Sequence, residues 1–196
     1  MQGKNHVALA LAIPMGAALV TGRADVLPAD VPAWVGLVIG SLLPDMDGEG
    51  SIAYWGNWLP KYITPWPIRA GLNWLGQTVS RVIRAIFGHR NALHWPLVGL
   101  LIALGGYRLS LGWLIWLGVG YILHILGDSL TKSGVPLFGP LYQGDISFTP
   151  MVTGEFTEKV FGVLLWLFVG WQAVSFLPHS GYVWALLYRF GGELMR

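Results

Sequence analysis

Five apolar runs govern what this chain can become: residues 5–21, the stretch from Pro32 to Gly40, Leu93 to Tyr107, Leu111 to Leu130, and Val160 to Leu177. Each is bounded by proline, glycine or charged residues, the punctuation that starts and stops helices. Helices satisfy their own backbone, so they are the economical form for such runs in an apolar medium. Only 11% of the residues are charged, 54% are hydrophobic and the mean hydropathy is +0.56; soluble domains carry about 25% charged residues. The reading is an all-α, polytopic helical membrane protein with about five membrane helices plus interfacial amphipathic helices, one integral-membrane domain over residues 1–196. Most runs fall short of the roughly 20 residues that cross a bilayer. Tilt or local thinning of the membrane accommodates that.

The remaining composition mainly excludes. A net charge of +2 is too small for a nucleic-acid partner, so no nucleic acid is expected. Without cysteine there is no disulfide, thiolate metal site or cysteine nucleophile. Lys4 before an apolar run resembles a signal peptide, but His6 opens that run and no small-x-small pattern precedes Arg23. A retained first helix is therefore expected.

The segment between the second and third runs is of another kind. Residues 48–92 hold Trp55, Trp58, Trp66 and Trp74 together with Lys61, Arg69, Arg81, Arg84 and Arg90. From Ile68 to Phe87, Leu72, Leu75, Val79, Val82, Ile83 and Ile86 recur at helical spacing. A basic amphipathic helix flanked by tryptophan lies at a membrane surface. Residues 131–158 read as a polar, glycine- and proline-rich loop, and residues 182–195 as a short amphipathic tail helix.

Chemistry enters at Tyr121-Ile122-Leu123-His124-Ile125-Leu126-Gly127-Asp128, which stacks an imidazole above a carboxylate on one helix face. Threading five alternating spans brings other polar residues to the same membrane face. His6 opens the first helix, Asp45 and Asp47 close the second, His89 and His94 lie at the start of the third, and Glu155 and Glu158 open the fifth. Eight Lys or Arg residues lie on that side against four on the other, which the positive-inside rule assigns to the cytoplasm. His179 falls on the far side.

Imidazole and carboxylate without sulfur suit zinc, with manganese as the alternative. The metal candidates are His6, Asp45, Asp47, His89, His94, His124 and Asp128. Seven exceed the ligands of one ion, so either more than one divalent ion is bound or some of them serve catalysis or support. Asp45 or Asp128 could bridge two ions. Arg90, beside His89, offers a planar fork for phosphate, and Asp47 is the second catalytic candidate. Singly, each motif has a plain structural explanation. His-x-x-x-Asp can be a hydrogen-bonded pair, Asp45-Met46-Asp47-Gly48 a turn, His89 to His94 a basic interfacial patch, and Thr131 a cap. Glu155 and Glu158 are read as first-turn acids that complement a helix dipole. The convergence of so many ionisable groups at one face is what points to function.

At these residues the chain resembles the YdjM-like family of predicted inner-membrane metal-dependent hydrolases. The resemblance rests on His6, Leu43-Pro44-Asp45-Met46-Asp47, His89-Arg90-Asn91-Ala92-Leu93-His94, and His124-Ile125-Leu126-Gly127-Asp128 with Thr131 and Gly134. Asn91, Leu93 and Trp95 depart from the small and hydroxylated residues of the family pattern. More distantly the pattern is similar to zinc-dependent phospholipase C. The resemblance implies a membrane-bound hydrolase acting on a phosphoester or related bond of a lipid or lipid-linked substrate, in the bacterial inner membrane. A metal-binding transporter or sensor, and a structural protein with a polar packing cluster, are the alternatives.

Overall fold

The computed structural model describes residues 1–47, 54–87, 92–142 and 144–175. They form six α-helices: α1 (Gly3–Thr21), α2 (Val31–Gly40), α3 (Trp66–Phe87), α4 (Pro96–Arg108), α5 (Gly112–Ser129) and α6 (Phe156–Ser175). Among the described residues there is no strand, only an isolated antiparallel bridge between Val135 and Ile146. The expected tail helix and His179 lie outside the described residues.

The ends of the helices follow local chemistry. Asp30 caps α2 by accepting from the Ala33 amide at 2.8 Å, and Pro32 sits in the first turn, where a missing N–H costs nothing. Helix α1 closes on Gly22, whose φ of 66° suits a residue without Cβ. Helix α4 begins at Pro96 rather than at Leu93. The residue before a proline avoids the helical region, so Ala92–His94 forms a separate 3-10 turn and His94 stands just outside the helix. Helix α6 starts about one turn before Val160 and takes in Glu158.

Helix α5 is the centre. Helix α2 runs parallel to it, with Gly36 near Trp113, Gly40 against the Leu117 carbonyl and Gly120 against the Leu37 carbonyl. A Cβ at Gly40 or Gly120 would collide with backbone of the facing helix. Helix α4 packs antiparallel on the other side, where a Cβ on Gly99 would stand 2.9 Å from the Gly118 carbonyl. Small residues that admit such approach are the usual glue between helices in lipid. Helix α1 lies against α5 through Ala10 and Leu123, and α6 runs beside α1 through Met15 and Val169.

The pattern of burial is inverted relative to a soluble domain. His6, His94, His124, Asp128 and Glu158 are buried, while Leu100, Leu101 and Leu104 of α4 and Val163, Leu164 and Leu167 of α6 are exposed. Extended apolar surface of this kind needs an apolar surrounding. Among the described helices only α1 is both long and apolar enough to cross a membrane by length and composition. Helices α2 and α4 have 10 and 13 residues, about 15 and 20 Å against a hydrocarbon core of about 30 Å.

Helix α3 carries the expected amphipathic pattern with Trp66 and Trp74 exposed. Its Asn73 side chain accepts from the Gly56 amide at 2.7 Å and Arg69 Nε donates to the Gly56 carbonyl at 3.1 Å, which fastens the turn at Trp55–Trp58 to the helix. The helix also touches the 3-10 turn Leu43–Asp47. The loop after α5 folds back on that helix. The Phe148 amide donates to Ser129 at 2.8 Å, the Lys132 amide to Met151 at 2.8 Å, and the Thr149 hydroxyl to the Leu130 carbonyl. The bonds to Ser129 and Leu130 occupy carbonyls that a helix end leaves unspent.

Candidate metal centre

The last two turns of α5 present His124 and Asp128 toward the interior, and each neighbouring element adds one group. The turn after α2 brings Asp45, the turn before α4 brings His94, and the first turns of α1 bring His6. One ligand atom from each of Asp45, His94, His124 and Asp128 falls within 4.8 Å of the others. The two histidines and Asp128 are buried, whereas the Asp45 side chain is 30% exposed and opens the cluster on one side.

The separations carry chemical information. His124 Nε2 lies 3.4 Å from Asp128 Oδ2 and 3.6 Å from Asp45 Oδ1, and His94 Nε2 lies 3.6 Å from Asp128 Oδ2. Such distances exceed those of good N–H···O bonds, about 2.7–3.2 Å. They match the edge of a tetrahedron about a zinc ion, since ligands at 2.0–2.1 Å from the metal stand about 3.4 Å apart. The imidazole of His124 is also oriented for ligation. Its Nδ1 donates to the Ser41 carbonyl at 2.8 Å, which leaves Nε2, buried and without a hydrogen-bond partner among the described residues, turned toward the carboxylates. A backbone carbonyl on the far nitrogen is how metal-binding histidines are commonly held. Two imidazoles and two carboxylates suit zinc or manganese.

His6 stands beside this quartet. Its ring stacks on His124 with centroids 3.7 Å apart and planes 13° apart. Its Nε2 is 3.1 Å from both Asp128 Oδ1 and the Met1 carbonyl. Both neighbours are acceptors, so Nε2 carries the proton, and His6 steadies Asp128 in this arrangement. The Met1 amine also reaches Asp128 Oδ1. This ammonium group occupies the kind of position beside a carboxylate that a cation seeks.

Of the seven sequence candidates, the structure therefore gathers His6, Asp45, His94, His124 and Asp128. Asp47 ends the turn Leu43–Asp47, and its side chain lies outside the described residues, as do His89 and Arg90. Glu155 is exposed and away from the cluster. Glu158 is fully buried and does more than face the dipole of its own helix. Its Oε1 accepts from the Gln2 amide at 2.6 Å and from Asn5 Nδ2 at 3.0 Å, and its Oε2 from the Gly154 amide at 2.5 Å. It thereby joins the starts of α1 and α6 directly beside His6. The Thr131 hydroxyl donates to the Asp128 carbonyl at 2.7 Å, the end-of-helix role expected for it. Sequence reasoning passed over Ser41 and Tyr121. The Tyr121 hydroxyl donates to the Leu93 carbonyl and so anchors the residue before His94. Tyr121 lies on the α5 face that also bears His124 and Asp128, a periodicity that could have flagged it. Ser41 acts through its backbone and leaves no side-chain signal.

An all-α protein with an apolar exterior and a buried set of imidazoles and carboxylates is the class that the fold and site define. The chain belongs to the YdjM inner membrane protein family, whose family model matches residues 1–195. It is 29% identical over 156 residues to inner membrane protein YdjM of Escherichia coli (strain K12), a match that covers 76% of this chain and 70% of that protein. The protein of the same name from Shigella flexneri matches to the same extent. No solved structure matches the chain.

Proposed function

We propose that this protein is an inner-membrane metal-dependent hydrolase that cleaves a phosphoester or related bond in a lipid or lipid-linked substrate. Helices α1, α2, α4, α5 and α6 are read as five membrane helices, α3 as an interfacial element, and the end bearing the cluster as the cytoplasmic face. The observation that carries the reading is the buried Nε2 of His124, turned toward Asp45 and Asp128 by the Ser41 carbonyl. The Met1 ammonium meets Asp128 Oδ1, but the His124 lone pair beside Asp45 Oδ1 and Asp128 Oδ2 is unfavourable without a cation of its own.

Asp45, His94, His124 and Asp128 would hold zinc, or manganese, with His89 and Asp47 available to a second ion. Such an ion activates water and polarises a phosphoryl oxygen. The protein's own part is positional. His6 holds the Asp128 carboxylate, the Ser41 carbonyl fixes the His124 ring, and half-open Asp45 leaves one side to substrate. Arg90 is assigned to the anionic group of the substrate and Asp47 to proton transfer. The similarity to zinc-dependent phospholipase C read from the motifs supports a phosphoester; it rests on residue types and is an analogy.

A second reading draws on the 3.1 Å contact of His6 with Asp128, which could make the cluster a polar packing device with no ion. Metal analysis separates the two. Purified protein should carry stoichiometric zinc or manganese, and His124→Ala or Asp128→Ala should lose it while remaining folded. Glycerophospholipid vesicles should release a phosphorylated headgroup or phosphate with the metal-loaded protein and not after chelation. Metal-free protein that stays metal-free in excess zinc would sink the proposal. Bound metal without any hydrolysis would leave a binding protein, in place of an enzyme.

A further inference from the structure

A cleft of about 320 Å³ runs between the first turns of α1 and α6. Its mouth carries Lys4 and Lys159 and its body is formed by Val163, Trp166 and Leu167. The two lysines are exposed, and neither forms an ion pair among the described residues. The cleft therefore pairs two unneutralised cations at the end of the helices with an apolar channel descending along α6. We propose that it binds one anionic glycerophospholipid, with the phosphate between Lys4 and Lys159 and an acyl chain along Trp166 and Leu167.

Three features favour that occupant. The charges are complementary, since a lipid phosphodiester is a fixed anion and the cleft offers cations alone at its mouth. Basic pockets between membrane helices are known headgroup sites, and each lysine near the surface adds attraction toward an anionic lipid. The vertical order, ammonium groups at the helix starts and Leu167 two turns below, repeats the order of a lipid from headgroup to chain. Trp166 supplies an amphipathic ring near that boundary. The floor is well defined too. Gly162 lets Asn5 approach so closely that a Cβ there would overlap its side-chain amide, and Asn5 is tied to Glu158 at 3.0 Å.

The site is separate from the metal cluster yet shares a wall with it, because Asn5 lines the cleft and His6 follows it in the chain. A bound lipid would hold the start of α1, and with it the ring that steadies Asp128. The proposal itself needs only α1 and α6, and stands whether or not the protein is an enzyme.

The test is native mass spectrometry of the detergent-purified protein titrated with phosphatidylglycerol, phosphatidylcholine or water-soluble glycerol phosphate. The wild type should retain one phosphatidylglycerol in preference to phosphatidylcholine. The Lys4→Gln, Lys159→Gln double variant should lose that preference, with affinity lower by about 30-fold. Leu167→Gln, which makes the exposed wall of the channel polar, should weaken retention of either lipid. Equal retention of the two lipids by the wild type overturns the proposal, as does an unchanged preference in the double variant. Glycerol phosphate that competes as well as the intact lipid would also overturn it, since the apolar channel would then contribute nothing. Both lysines are exposed, so the double variant should fold, and its unchanged melting temperature is the control.

Discussion

At the scale of single residues, the centre shows how much a buried setting asks of each polar group. An unpaired charge in lipid is costly, and every ionisable side chain here has an assigned neighbour. Glu158 takes three N–H donors, Asp128 faces two imidazoles within 3.4 Å and a third at 3.6 Å, and His124 spends one nitrogen on Ser41. His6 is the informative residue to change, because it supports Asp128 from outside the quartet. His6→Phe keeps the stacked ring and removes the donor to Asp128. Loss of such a supporting contact costs about 10–100-fold in metal affinity. The expected result is protein that folds and binds zinc with that penalty, measured by competition with a chromophoric chelator. Unchanged affinity would remove His6 from the site, and complete loss of binding would make it a ligand. The residue scale is also where the sequence was least legible. His124 and Asp128 announce themselves by spacing. The Ser41 carbonyl does not, because any residue at that position supplies one. Glu158 was visible as an acid at a helix start, but two of its three partners, Gln2 and Asn5, lie more than 150 positions away in the chain.

At the scale of elements, the apolar runs located α1, α2, α4, α5 and α6, with shifts at the ends that come from cap chemistry. Pro96 delays α4 and thereby frees His94 for the cluster. What the runs did not show was how tightly the helices approach. That depends on which glycines face one another, and the facing becomes known only once the rotation of α2 and α4 about α5 is known. Gly40 tests this packing. In Gly40→Leu the new side chain meets the Leu117 backbone directly. Overpacking of a tight contact typically costs about 1–3 kcal/mol, at times more. It would also push Ser41 from His124 and Asp45 from the quartet, so a lower melting temperature in detergent should come with lost metal. Gly105→Ala is the control, since nothing lies within 4 Å of a Cβ there. Replacing a helix-interior glycine by alanine should stabilise by about 0.5–1 kcal/mol. Equal behaviour of the two variants would show that the α2–α5 contact does not position the cluster.

At the scale of the whole molecule, the same face receives the starts of α1, α4 and α6 and the ends of α2 and α5. That is the arrangement that alternate threading requires. The chain contains no cysteine, so single substitutions report topology without background. In spheroplasts, Lys132→Cys and Lys159→Cys should resist a membrane-impermeant maleimide until the cells are broken. Asp25→Cys and Arg108→Cys should react from outside. Labelling of Lys132→Cys and Arg108→Cys from one side would refute α5 as a span. Reversal of all four would keep the fold and move the cluster to the periplasmic face.

The brevity of α2 bears on how water and lipid could meet at the cluster. Ten residues cover about half of the usual hydrocarbon thickness, and α2 stops alongside Gly120 while α5 continues for more than two turns. Beyond that point α5 has the turn Leu43–Asp47 for company, with a half-open carboxylate in place of another helix wall. A bilayer that wets a stepped flank of this kind must thin or dip to follow it, at a fraction of a kcal/mol per ångström. The dip would lower headgroups and their water toward Asp45 and His124. In that geometry a lipid would not need to be lifted out of the membrane to reach the proposed metal centre; the membrane surface itself would be drawn down to it.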